Sequence, residues 1–197
     1  MTFYRKREKF SNLSIKIGTF FSKFGLSPNQ WTLLVLLPTF VSLYFILQNE
    51  FLIAAAFMLV SAFLDVVDGS VARVMGKVTK LGAYLDTVMD RYVEAIILLG
   101  LLFCNLPGFY APAYVWIFLF LFGSMMTTYV KAAAKEKDLV EKEITGGLLE
   151  RGERLIILFI GILLAHYSRL YLTYIIVILA ILSNLTALQR IRIAVRK

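Results

Sequence analysis

The chain has 197 residues, 59% of them hydrophobic and 17% charged, with a formal net charge of +8 and a mean hydropathy of +0.76. This composition excludes a soluble globular domain and points to a membrane protein. The one cysteine excludes an internal disulfide, and no Cys/His cluster suggests a zinc site.

Residues 1–25 interleave Phe3, Tyr4, Phe10, Leu13, Ile17, Phe20, Phe21 and Phe24 with Arg5, Lys6, Arg7, Lys9, Lys16 and Lys23 at near-helical spacing. That pattern predicts an amphipathic helix lying in the interface with its cations toward anionic headgroups. No apolar core with a cleavage site follows the basic N-terminus, so no signal peptide is expected. Gly25 is the expected stop, Ser27 the N-cap and Pro28 the first residue of the next helix. Spans are then expected over about 31–47, 51–72, 82–103, 113–134, 155–166 and 170–188. The fifth is short and is expected to start earlier, near Leu148. Loop chemistry marks 105–112 and the charged connection 135–153 with Gly146 and Gly147. His166, in a short outer turn, reads as interfacial. Gly123 and Ser124 are small enough to let helices approach closely. The expected architecture is all-α and polytopic: one membrane domain over 1–197, with an interfacial helix over 1–25 and a six-helix bundle over 26–197.

Every lysine and arginine except Arg91 and Arg169 falls in the N-terminal arm, the 73–80 stretch, the 131–154 stretch or the C-terminal tail. By the positive-inside rule, these segments and both termini face the cytoplasm. The expected location is the plasma membrane, with membrane lipids as neighbours and no nucleic-acid partner.

Four acids interrupt the second and third spans: Asp65 and Asp68, then Asp86 and Asp90. Each pair is spaced to share one helix face. Four uncompensated aspartates in a bilayer would cost about 10 kcal/mol or more on insertion scales. Hard divalent cations neutralise them most cheaply, and a pair of cations flanked by carboxylates is a device for phosphoryl transfer. Gly69 leaves the backbone bare beside Asp68, and Arg73 supplies a fixed cation able to grip phosphate bidentately. Together they read as a diphosphate site.

The residues Asp65, Asp68, Gly69, Ala72, Arg73, Gly82, Asp86 and Asp90 fill the pattern D-x2-D-G-x2-A-R-x8-G-x3-D-x3-D. This resembles the signature of the CDP-alcohol phosphotransferase family, and so many fixed positions at fixed spacing are a specific signal. The resemblance implies transfer of a phosphate-linked group from a CDP-alcohol, usually a CDP-linked lipid, to a second alcohol, with release of CMP. It implies two Mg2+ or Mn2+ ions held by Asp65, Asp68, Asp86 and Asp90, with Asp90 as the proton acceptor. It also implies nucleotide contacts from Asn29, Gln30, Thr32, Gly69, Arg73 and Thr79, although Thr79 also reads as an ordinary loop residue. Further on, Tyr129-Val-Lys131-Ala, the Gly146–Leu155 stretch and Gln189-Arg190 resemble the phosphatidylinositol-phosphate and archaetidylinositol-phosphate synthase branch. In that branch Lys131, Arg154 and Arg190 would hold the phosphate of inositol phosphate, the phosphorylated polyol substrate; Arg151 reads either as a further contributor or as a partner of Glu150 or Glu153. Asn29 and Ala133 depart from the Asp and Arg usual there. A homodimer is likewise implied by the resemblance alone. Other acceptors within the family are glycerol phosphate and serine. Outside it, an intramembrane acid cluster can also mark a cation transporter, but that reading gives Gly69 and Arg73 no task.

Overall fold

Proline and serine at the start of the first span set its geometry. The computed structural model describes residues 2–141, 144 and 146–196, with side chains from residue 12 onward. The aromatic and basic side chains expected on 3–10 therefore lie outside the described residues, as does Lys142 of the basic loop. The helices are α1 (Thr2–Ser22), α2 (Pro28–Leu34), α3 (Leu36–Leu47), α4 (Phe51–Val74), α5 (Lys80–Phe103), α6 (Ala113–Glu136), α7 (Arg151–Ala165) and α8 (Arg169–Val195). Gly25 takes a left-handed φ of 75°, Ser27 is the N-cap of α2 and Pro28 its first residue, all as the sequence predicts; the capping box that Ser27 closes with Gln30 goes beyond those expectations.

The expected continuous first span is instead two helices, broken at Val35. Pro38 is the cause: it has no amide hydrogen, and its ring crowds the carbonyl four residues back, that of Leu34. The Val35 carbonyl takes the Thr39 hydroxyl at 2.8 Å and the Ser61 hydroxyl of α4 at 3.3 Å. Thr39 and Ser61 also lie 2.8 Å apart.

The chain forms two compact units, one of residues 1–42 and 56–96, the other of 43–55 and 97–197. In the first, Trp31, Val67 and Val71 form a buried core onto which Ile17, Phe21 and Leu64 pack. Gly18 lets α1 press onto α4, since a Cβ there would collide with the Ser70 carbonyl. In the second unit, α6 and α7 pack on α8. A Cβ on Gly123 would lie 2.6 Å from the Asn184 amide nitrogen, and that amide donates to the Leu119 carbonyl at 2.8 Å. The expectation of close approach at Gly123 holds. Lipid tails give no hydrophobic drive for helix association, so small residues and interhelical hydrogen bonds worth about 0.6 kcal/mol each do this work.

Among the described residues, Pro28–Leu47, Phe51–Val74, Ala113–Glu136 and Arg169–Val195 are long and apolar enough to cross a bilayer. The other two expected spans do not meet that test. α5 has the length but carries Asp86, Asp90, Arg91 and Glu94. α7 has 15 residues, about 22 Å of helix against a hydrocarbon core of about 30 Å. Nor does α7 start near Leu148. Glu150 is its N-cap, with the Glu150 amide donating to Glu153 at 2.8 Å, and residues 146–149 are occupied in bonding to α8. His166 is the C-cap of α7.

Candidate metal and phosphate sites

In the first unit, α4 brings Asp65 and Asp68 to α5, which brings Asp86 and Asp90. The turn between these helices is closed by Gly76, at φ 63°, and by Thr79. The Thr79 hydroxyl accepts the Gly82 amide at 3.0 Å, so Thr79 is the N-cap of α5. One carboxylate oxygen from each of Asp65, Asp86 and Asp90 lies within 4.8 Å of the others. Three carboxylate oxygens gathered this closely would be able to converge on one hard divalent cation. Asp68 is 5% exposed and has Asp65 and Asp86 as charged neighbours. Its Oδ2 is buried without a hydrogen-bond partner. Like charges this close and an orphaned carboxylate oxygen both cost free energy that a bound cation removes. The donor set is all oxygen, which suits a hard divalent ion. The residues fit the metal the sequence implies.

Beside the acids is a cavity of about 560 Å³ lined by Asn29, Thr32, Asp65, Asp68, Gly69, Arg73, Lys77, Thr79, Gly82 and Asp86, among others. That volume is within the range of small-molecule sites. The Arg73 guanidinium lies over bare Gly69, where a Cβ would stand 3.6 Å from Nη1. A Cβ on Gly82 would stand 3.2 Å from the Thr79 hydroxyl and 3.3 Å from Asn29 Oδ1, so glycine there keeps the two polar groups together. Of the expected nucleotide contacts, Asn29, Thr32, Gly69, Arg73 and Thr79 line this cavity. Gln30 does not: its Oε1 accepts the Ser27 amide at 2.8 Å and the Ser27 hydroxyl at 3.0 Å, because the third residue of a helix closes a capping box. Asp90, 8% exposed, belongs to the acid cluster and not to the cavity wall. One turn further, Glu94 is fully buried and pairs with Arg91 of its own chain at 3.1 Å.

The expected phosphate-binding cations belong to the second unit. Arg154 of α7 and Arg190 of α8 are 1% and 7% exposed, far below what is usual for arginine. Thr127 of α6 joins them. Its carbonyl accepts from Arg190 Nη1 at 2.8 Å, and its hydroxyl accepts from Arg154 Nη1 at 3.4 Å. Arg190 Nε also donates to the Gly146 carbonyl at 3.1 Å. The strap after Gly146 is fixed to α8 by Leu148 N to Gln189 Oε1 at 3.1 Å and Leu149 N to Thr186 Oγ1 at 3.2 Å. Gly147 is required because a Cβ would meet the Thr186 methyl. Lys131 lies one turn beyond Thr127 on α6, and Arg151 one turn before Arg154 on α7, so both share a face with the joined pair. The charged neighbours of Arg190 are Arg154 and Glu150. Guanidinium groups gathered in this way are able to donate charge-assisted hydrogen bonds to an anion. Sequence reasoning missed Thr127; its place four residues before Lys131 was the available signal.

Residues 26–186 match the model of the CDP-alcohol phosphatidyltransferase family. The chain is 39% identical over 178 residues to the archaetidylinositol phosphate synthase of Pyrococcus horikoshii, covering 89% of this chain and 87% of that one. It is similar in structure to the phosphatidylinositol phosphate synthase of Mycobacterium tuberculosis with CDP-DAG bound. There the TM-score is 0.82 at 25% identity, covering 93% of this chain and 94% of that one. The same enzyme in complex with manganese and citrate matches with a TM-score of 0.82 at 26% identity, over 92% of this chain and 88% of that one. The chain belongs to the CDP-alcohol phosphatidyltransferase family of membrane transferases.

Proposed function

We propose that this enzyme moves a phosphatidyl-type group from a CDP-linked lipid, CDP-diacylglycerol or CDP-archaeol, to a hydroxyl of inositol phosphate and releases CMP. The observation that carries the reading is the convergence of Asp65, Asp86 and Asp90 oxygens within 4.8 Å at a cavity walled by Gly69, Arg73 and Thr79. The activity named for the Pyrococcus relative supports the acceptor, and the CDP-DAG and manganese complexes of the mycobacterial enzyme support the donor and the metal.

In this reading Asp65, Asp68, Asp86 and Asp90 hold two Mg2+ or Mn2+ ions, which when bound neutralise the diphosphate and stabilise departing CMP. Arg73 holds a phosphate through its planar fork, and Gly69 lets that phosphate approach the backbone. Asn29, Thr32 and Thr79 supply polar contacts to the cytidine nucleotide. Asp90 accepts the proton of the attacking hydroxyl. The new bond joins that oxygen to the lipid-bearing phosphorus, and the bond from that phosphorus to the oxygen leaving with CMP breaks. Lys131, Arg151, Arg154 and Arg190 take the phosphate of the acceptor.

The whole chain serves as one catalytic domain, with α5 and α7 crossing the bilayer in addition to the four more apolar segments. Metal ions and the Arg91–Glu94 pair offset the charges that α5 carries into the membrane. Both termini and the site face the cytoplasm, in the plasma membrane, and the enzyme is a homodimer. The test is CMP release by purified protein from CDP-diacylglycerol and from CDP-archaeol, with Mg2+ or Mn2+, offering inositol phosphate, glycerol phosphate or serine. Turnover with inositol phosphate is expected. No CMP with any acceptor would remove the reading, and preference for glycerol phosphate or serine would replace the acceptor.

A further inference from the structure

The N-terminal helix reaches the nucleotide cavity through one hydroxyl. Ser14 of α1 stands four residues before Gly18 and therefore shares the face that Gly18 presses onto α4. The Ser14 hydroxyl lies 2.9 Å from the Ser70 hydroxyl and 2.9 Å from Arg73 Nη2. Ser70 already donates its proton to the Val66 carbonyl at 2.7 Å. It follows that Ser14 donates to Ser70 and accepts from Arg73, and that one directed chain runs from guanidinium to Ser14, Ser70 and the α4 backbone. The Ser70 oxygen is a poorer partner for Arg73, at 3.4 Å. Arg73 is exposed, and a long cationic side chain free to rotate loses much rotamer entropy when it grips a phosphate. Pinning Nη2 holds the guanidinium flat over Gly69 and leaves Nη1 and Nε for a ligand in the cavity it lines.

We infer that Ser14 is a positioning residue for the CDP diphosphate, acting through Arg73, so that docking of the amphipathic N-terminal helix sets donor affinity. This rests on the proposed function, because it takes the cavity beside Arg73 as the CDP site.

The test uses the full chain in liposomes, with Ser14→Ala, Ser14→Thr, Arg73→Lys and the Ser14→Ala/Arg73→Lys double variant. For Ser14→Ala, the KM for CDP-diacylglycerol should rise about three- to tenfold, the net worth of one typical hydrogen bond. The KM for inositol phosphate and the melting temperature should not change. Ser14→Thr, which keeps the hydroxyl, should restore the donor KM. In the Arg73→Lys background, Ser14→Ala should add little. Equal changes in both KM values, full additivity with Arg73→Lys, or an unchanged donor KM would overturn the inference. Calorimetric titration of CDP with Mg2+ provides a readout without turnover, and Ser14→Ala should weaken binding by the same factor. Wild-type protein that binds CDP while Ser14→Ala binds it equally well refutes the positioning role and leaves the proposed function intact. Wild-type protein that binds no CDP removes the function, and the inference with it.

Discussion

Asp68 and Arg154 are both nearly buried, at 5% and 1% exposure, yet their surroundings meet the charge in opposite ways. Around Asp68 the charged neighbours are further acids, and its Oδ2 has no hydrogen-bond donor. Around Arg154 and Arg190 the hydrogen-bond acceptors are the Thr127 hydroxyl and the carbonyls of Thr127 and Gly146, with Glu150 as the nearby acid. A bound cation would supply the partner that the buried Asp68 oxygen lacks. In the cation cluster the fold already supplies hydrogen-bond acceptors to Arg154 Nη1 and to Arg190 Nε and Nη1. Substitutions in the two regions should accordingly fail in different ways.

The largest effect belongs to the acids. Asp90→Asn should lower kcat about 10²- to 10⁴-fold, the contribution of a positioned general base, with the KM for inositol phosphate little changed. Steady-state kinetics with CMP detection would measure it, and full turnover would remove Asp90 from its role. Next comes Arg190→Ala, which takes one partner from a buried charged site. It should raise the KM for inositol phosphate by roughly 30- to 1,000-fold and leave CDP binding in calorimetry unchanged. If CDP affinity fell equally, the division of labour between the two regions would be wrong. Metal removal offers a third test. Saturating Mg2+ or Mn2+ at about a hundred times its Kd should stabilise the protein by about 2.7 kcal/mol and raise the melting temperature by roughly 5–10 °C. Asp68→Asn should abolish most of that rise, whereas Arg154→Lys should not. The smallest effect is expected for Thr127→Val, which keeps the carbonyl that binds Arg190 but deletes a long hydrogen bond to Arg154. A two- to fivefold increase in acceptor KM, about 0.5–1 kcal/mol, is expected, rescued by Thr127→Ser.

The acid region is legible in the sequence because helical spacing alone places Asp65 with Asp68 and Asp86 with Asp90, and because acids in an apolar span need a reason. Thr79 is ambiguous in sequence, since it reads equally as a nucleotide contact or as an ordinary loop residue. The fold makes it both the N-cap of α5 and part of the cavity wall. Gln30 goes the other way: a polar residue three places after Ser27 fits a capping box as well as a ligand contact, and here the cap claims it.

By itself the sequence determined the α-helical class, the membrane environment and the identity of the metal-seeking acids, for these follow from local periodicity and from the cost of charge in hydrocarbon. It also marked Arg154 and Arg190 as candidates, through their resemblance to a branch of the family. Tertiary structure alone decided that Gly146 and Thr127 turn their carbonyls on Arg190 and that Ser14 reaches Arg73. Those contacts join residues distant in the chain, and several of their partners are backbone atoms, which every residue carries and no pattern of side chains reveals.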